Sequence, residues 1–307
     1  MRRFAVQRLL GAVPVLLGVV TLVFLVMRVL PGEPVAVLAA QSGGSAEDIA
    51  RLRQEYGLDS PVWLQFLRFL LSLAKGDLGR SLLTHQSVSQ IILQQAPSTV
   101  VLACSAMCVG LGVGMPLGII AAMRPRSWME RVCMGLSVVG VSIPIPLSGL
   151  AMILVFSLTL QWLPASGRGS LSHLVMPSIV MGLVSAGSIA RLVRVQLVEV
   201  LREEYINVAR AKGLTESALL VRHALRSALV PVITVAGLQF GFMLGGAVAT
   251  ETVFGRPGLG RTLAEAILYK DYPVVQGMVI VSAALYTVVN LAVDLAYGYL
   301  DPRILHE

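Results

Sequence analysis

The chain has 307 residues, of which 56% are hydrophobic and only 13% charged; soluble domains carry roughly 25% charge. With a mean hydropathy of +0.79, this excludes a soluble globular enzyme and describes an all-α integral membrane protein of six transmembrane helices, because apolar runs of about 20 residues cross a bilayer as helices. The net charge of +7 does not indicate nucleic acid, since Arg and Lys fall between apolar runs and form no stripe with aromatic residues.

Arg2, Arg3 and Arg8 precede an apolar run from Leu9 to Leu30. A secretory signal has an apolar region of about 7 to 15 residues, so residues 1–30 are expected to be a cytoplasmic amino end and an uncleaved first span. Residues 31–96 form a polar segment expected outside the cytoplasm, with amphipathic helices of its own. Ser45 and Asp48 mark one helix start, followed by Ile49, Leu52 and Tyr56 at helical spacing. After Pro61, Trp63, Phe66, Leu67, Leu70 and Leu71 make a second stripe that ends at Gly76. These helices are expected on the membrane surface or over the mouth of the protein, with a plain lid as the alternative.

Residues 97–307 hold the remaining five spans. The second, Pro97 to Met123, repeats Gly110, Gly114 and Gly118 every four residues, a spacing that lets membrane helices approach closely. Arg124, Pro125, Arg126 and Arg131 make a turn. The third span, Val132 to Leu160, is expected to bend or break at Pro144 and Pro146. Broken membrane helices often line cavities, which makes Ser142 and Pro144 candidates for a pathway, with a simple kink as the alternative. A fourth span runs from Leu171 to Ala190.

The loop 191–230 carries Arg191, Arg194, Arg202, Arg210, Lys212, Arg222 and Arg226, so the positive-inside rule puts it in the cytoplasm together with both termini. Within it a helix is expected from Glu203 to Leu214. Ala209 and Gly213, four apart, would leave a bare face ringed by cations, on which a partner protein could dock. The candidate contact residues are Glu203, Glu204, Tyr205, Ala209, Arg210, Ala211, Lys212, Gly213 and Leu214; the alternative is a basic loop that only fixes topology.

In the fifth span, Ala228 to Thr250, a row of Gly237, Gly241 and Gly245 is expected to pack on another helix. Gln239, Met243, Gly246 and Thr250 are candidates for a water-facing side, although Gln239 could instead tie two helices together. Glu251 to Pro273 reads as an outside loop with turns at Gly255, Pro257, Gly258 and Gly260 and a short helix from Thr262 to Tyr269. The sixth span, Tyr272 to Val293, brings Asn290 and Asp294 to one face near its inner end, as pathway groups or as interfacial anchors.

Energy chemistry is missing. None of the lysines, Lys75, Lys212 and Lys270, completes GxxxxGK[ST], and HExxH, GxSxG and paired CxxC are absent. Cys104, Cys108 and Cys133 read as small hydrophobes, and His85, His173, His223 and His306 lack metal-ligand spacing. No catalytic residue, metal site or cofactor is therefore expected in the chain, and its energy is expected to come from a partner gripping the cytoplasmic helix.

Nine segments in order resemble the permease subunits of bacterial ABC importers of the dipeptide, oligopeptide and nickel group. They are LPGEPV at Leu30 to Val35, YGLDSPVWLQF at Tyr56 to Phe66, KGDLGRSL at Lys75 to Leu82, QWLPASG at Gln161 to Gly167, ARAKGL at Ala209 to Leu214, RHALRSALVP at Arg222 to Pro231, ETVFGRPGLGR at Glu251 to Arg261, KDYPVVQG at Lys270 to Gly277 and DPRI at Asp301 to Ile304. The general importer signature opens EAA, where this chain has Asn207, Val208 and Ala209. The resemblance implies a second homologous permease, two cytoplasmic ATPases that bind ATP and Mg and grip a coupling helix, and an extracytoplasmic solute-binding protein, all at the inner membrane. It implies import of di- or oligopeptides, with nickel, a metal chelate or a glutathione-like solute as the alternative. An ion-gradient-driven transporter or a non-transporting scaffold are the readings of another class.

Overall fold

The computed structural model describes residues 2–29, 54 and 59–300. The helix expected around Ser45 to Tyr56, LPGEPV and DPRI lie outside the described residues. Among the described residues the chain is helical, apart from one isolated antiparallel bridge between Arg80 and Ser87. Helix α1 spans Arg2–Val29, α2 Val62–Ala74, α3 Val88–Met123, α4 Trp128–Ser142, α5 Ile145–Met152 and α6 Ser172–Val200. Then come α7 Glu204–Ala211, α8 Glu216–Leu219, α9 Leu225–Gly246, α10 Val248–Val253, α11 Leu259–Leu268 and α12 Tyr272–Leu300. Five stretches are long and apolar enough to cross a membrane, and the pair α4 and α5 makes a sixth if counted as one broken span.

Several boundaries move for local reasons. Helix α3 begins at Val88 and not at Pro97, because Ser87 caps it through a bond from Gln90 N (3.3 Å) and Pro97 is accommodated inside the helix. Helix α6 continues past Ala190 to Val200, so Arg191 and Arg194 belong to the helix and not to a loop. The broken span is as expected in kind: Ile143 is extended ahead of Pro144, and the axes on either side differ by 99°. A residue before proline is disfavoured in the α region, and proline brings no N–H with which to continue the ladder. Beyond α5 the chain widens to an i→i+5 turn over Ile153–Thr159, with Leu160 N donating to Val155 O at 2.9 Å.

The packing centres on α3 against α6. A Cβ on Gly114 would lie 2.6 Å from Ala186 O, and one on Gly118 2.6 Å from Ala190 O; from the other helix, a Cβ on Gly182 would lie 2.6 Å from Ala106 O. The small-residue row of α3 thus meets backbone, as its spacing predicts. Around this contact, Leu102, Ala106, Ile189, Val193 and Leu197 are buried. The glycine row of α9 meets α12: Gly237 faces Val293 and Gly241 faces Tyr286, while Gly245 stands open. Helix α1 buries Val20, Val23 and Met27 against Val274, Val275 and Met278 of α12 and leaves most of its other large apolar side chains outward.

Replacing Gly118 with Ala is expected to lower the melting temperature of the purified protein, with a cost of about 1–3 kcal/mol from overpacking. Gly112, on the same helix, has open space where a Cβ would stand. Gly112→Ala should leave the melting temperature where it was.

Candidate functional site

Two structured ends emerge, one rich in arginine and one opposite it. At the arginine-rich end, α7 is pinned by Ile206, which is fully buried in the same cluster as Leu197 of α6, Leu219 of α8 and Ala224 before α9. Ala209 and Leu214 pack against that cluster as well. The helix stops at Ala211 with a Schellman closure: Gly213 N donates to Arg210 O (3.0 Å) and Leu214 N to Ala209 O (3.4 Å). Gly213 has φ +84° and nothing near its missing side chain. The expected bare face of Ala209 and Gly213 is therefore corrected. Gly213 lies beyond the helix, in the left-handed conformation that glycine adopts without strain, and Ala209 turns partly inward.

The outward face of α7 is made by Glu204, Tyr205, Asn207, Val208, Arg210 and Ala211, with Glu203 just ahead of it and Lys212 just after. Tyr205 is 46% and Val208 54% exposed, and Val221, on the wide i→i+5 turn Leu220–Ala224, is 64% exposed. Arg210 grips Glu216 with two bonds, 2.7 and 3.2 Å, and reaches Asn207 Oδ1 at 3.1 Å. That fork ties α7 to the first turn of α8. Arg202, Arg210 and Glu216 line a cleft of about 340 Å³ between this unit and the ends of α3 and α6. Nearby, Glu130 takes Arg194 Nε at 2.6 Å and Arg126 N at 2.5 Å, which joins the turn before α4 to α6.

The expected pathway residues do not share one surface. Ser142 and Pro144 are exposed at the break between α4 and α5, and Gln239 is half-buried. Met243 and Thr250 are buried within the chain and not on a water-facing side. Asn290 is half-buried, with its Oδ1 sealed and without a hydrogen bond. Asp294 pairs with Arg8 of α1 at 3.3 Å.

At the opposite end, a network that the sequence did not announce holds the hairpin of α10 and α11. Glu251 is fully buried. It accepts from Thr99 Oγ1 at 2.6 Å and from Arg261 N at 3.0 Å, while Leu259 N donates to Thr99 Oγ1 at 2.8 Å. A side chain on Gly258 would strike the carboxylate. Burial pushes the Glu251 carboxyl above the usual carboxylate range; Thr99, the backbone amides of Arg261 and Gly260, and the charge of Arg256 pull the other way. A second tie uses buried Asp271, which accepts from Ser81 Oγ (2.5 Å) and Leu82 N (3.1 Å) and so joins the KDYP segment to KGDLGRSL. Only the lone acid at the head of a glycine-rich turn hinted at the first network; Thr99 gave no signal.

The sequence pattern of the family described as the binding-protein-dependent transport system inner membrane component matches residues 114–306, and that of its N-terminal component matches residues 1–103. The chain belongs to that family. It is 39% identical to the glutathione transport system permease protein GsiC of Salmonella paratyphi A and 40% identical to that of Pectobacterium atrosepticum, each over the full length of both chains. It is also 40% identical, again over both full lengths, to a Brucella abortus chain provisionally named as a peptide transport system permease. Among solved structures, the inward-facing MetNI methionine ABC transporter aligns with a TM-score of 0.59 and 18% identity, covering 69% of this chain and 97% of that one. An amino acid ABC transporter gives 0.52 and 16%, covering 70% and 94%. At such identities the likeness is one of fold. The chain is thus a membrane-spanning permease subunit of a bacterial ABC importer.

Glu251→Ala is expected to destabilise the permease by about 2–4 kcal/mol, since it leaves the buried Thr99 hydroxyl and the Arg261 amide without their acceptor and opens a cavity under the hairpin. Thr99→Val should cost less, because the backbone amides still serve the carboxylate. Thermal melts of the two variants in one detergent would rank them.

Proposed function

We propose that this permease forms half of the pathway of an ATP-driven importer of small peptides, glutathione-like peptides included. A second homologous permease forms the other half, two cytoplasmic ATPases bind ATP and Mg, and an extracytoplasmic binding protein delivers the solute. The names of the full-length relatives support the substrate class. Family membership supports binding-protein dependence and leaves a gradient-driven transporter, a nickel importer or a scaffold without comparable support. In this arrangement the arginine-rich end and both termini face the cytoplasm, in line with the positive-inside rule.

The single observation that carries the coupling role is the divided character of α7. Its inner side is locked into the core by Ile206. Its outer side offers Tyr205 and Val208, flanked by Glu203, Glu204, Ala211 and Lys212. An ATPase that holds the outer side moves the inner one, and through Leu197 and Leu219 it moves α6 and the α8–α9 unit. For ATP to drive transport, the ATPase must contact this helix differently in its two states. Ser142, Pro144 and Gln239 remain the accessible candidates for the pathway wall, and Asn290, with its unbonded Oδ1, is a fourth. Asp294 acts there as the partner of Arg8, while Met243 and Thr250 serve packing.

The test is reconstitution in vesicles with the ATPases and binding protein, following uptake of labelled glutathione and of a dipeptide together with ATP hydrolysis. Uptake of neither solute in an assembled, ATP-hydrolysing complex would overturn the substrate class. Val208→Asp is expected to cut solute-stimulated hydrolysis by about tenfold or more, the loss typical of one buried interface anchor, with the melting temperature unchanged. Normal stimulation would remove α7 from the coupling role. Ile206→Ala should leave the ATPases bound yet uncouple hydrolysis from uptake, because the cavity beneath the helix lets it move alone.

A further inference from the structure

The end opposite α7 holds a charge that the established role does not use. Arg256, in the turn between α10 and α11, is only 5% exposed. Its Nε is sealed from solvent and has no hydrogen-bond partner. Its backbone N–H goes to Glu251 O at 2.8 Å, and among the described residues no carboxylate lies within ion-pair distance of its guanidinium. Glu251 is already engaged by Thr99 and by backbone amides, so it balances Arg256 only through space.

The neighbouring cations divide into one that is satisfied and one that is not. Arg261 is spent on Gly255 O (2.7 Å) and Glu265 (2.8 Å). Arg168 is exposed and close enough for its charge to bear on Arg256. Its turn is fastened to that of Arg256: Gly167 N donates to Phe254 O at 3.2 Å, and a Cβ on Gly255 would stand 3.3 Å from Ser166 Cβ. A rigid rim therefore presents one recessed and one protruding guanidinium, a pair of like charges with planar donors suited to a carboxylate. Of these donors only Arg256 Nε is both sealed and unmet, which leaves the Nη edge of that guanidinium to face an incoming group.

We propose that Arg168 and Arg256 form a carboxylate-receiving site into which the binding protein inserts an acidic side chain when it docks. This rests on the import function above. The location argues for a protein and not the solute: Arg168 sits on the turn that leads into α6 and Arg256 on the turn between the short helices α10 and α11, and neither lies on a span. A protruding acid fits between a raised and a sunken cation better than a flat surface does, and an anion relieves the repulsion between them.

The experiment measures ATP hydrolysis of the reconstituted complex against the concentration of the binding protein that stimulates it. Arg168→Glu is expected to raise the half-stimulating concentration about tenfold or more, and Arg168→Lys to restore most of it. Rim charges act largely on encounter, so the value for the unaltered complex should climb with salt while that of Arg168→Glu stays nearly flat. Arg256→Gln should shift the same way; because Arg168 is exposed, its variants test the site even where Arg256→Gln fails to fold. Three results would overturn the proposal: unshifted half-stimulating concentrations, a shift seen with an acidic peptide solute but not with its amidated form, or loss of the sister permease from the purified complex. If the unaltered complex is not stimulated at all, the import function falls and this site with it; stimulation with unshifted variants removes the site alone.

Discussion

Backbone lies against backbone where α3 crosses α6, and the rest of the permease is hung on that contact. At Gly114, Gly118 and Gly182 a single methyl group would already collide with a carbonyl of the opposite helix. In a bilayer, where lipid tails are as apolar as leucine, helices are held by close packing and not by escape from water. The row of small residues supplies that closeness over several turns. It also makes α3 and α6 one stiff body, with its lower end at the arginine-rich side and its upper end under the Glu251 hairpin.

The two ends are built on different principles. Near α7 the fastenings are an apolar plug, Ile206, and charge pairs that remain in reach of solvent, such as Arg210 with Glu216. Exposed pairs of this kind contribute little to stability and rearrange readily. At the far end the fastenings are buried acids, Glu251 and Asp271, each satisfied by hydroxyl and amide donors. Buried acids of that kind tolerate little displacement. The fastenings at the α7 end are thus the weaker ones, and those at the far end the more deeply buried.

Legibility in the sequence followed the physics of each element. Length and hydropathy gave the spans, because a bilayer demands about 20 apolar residues whatever their neighbours. The glycine spacing on α3 and on most of the α9 row read correctly, since small residues at every fourth position have one use in a membrane. Pro144 and Pro146 gave the break. Boundaries were less readable: α6 runs past Ala190 because arginine is a good helix former once the chain leaves the apolar zone. Gly213 was misread as part of a smooth face, because a helical wheel does not reveal where a helix ends. Thr99 with Glu251, and Ser81 with Asp271, were hidden for a plainer reason: each joins segments more than a hundred positions apart, and periodicity is a local signal.

The Asp271 tie also bears on the order of assembly. Its two halves are 190 residues apart, and a ribosome delivers Ser81 long before the carboxylate that will hold it. Until Asp271 is made, the turn around Ser81 lacks the carboxylate that takes its hydroxyl and amide donors. One of the two far-end fastenings is therefore completed late in synthesis, and a chain ending before Asp271 would keep the Thr99–Glu251 network while its Ser81 turn lacked an anchor.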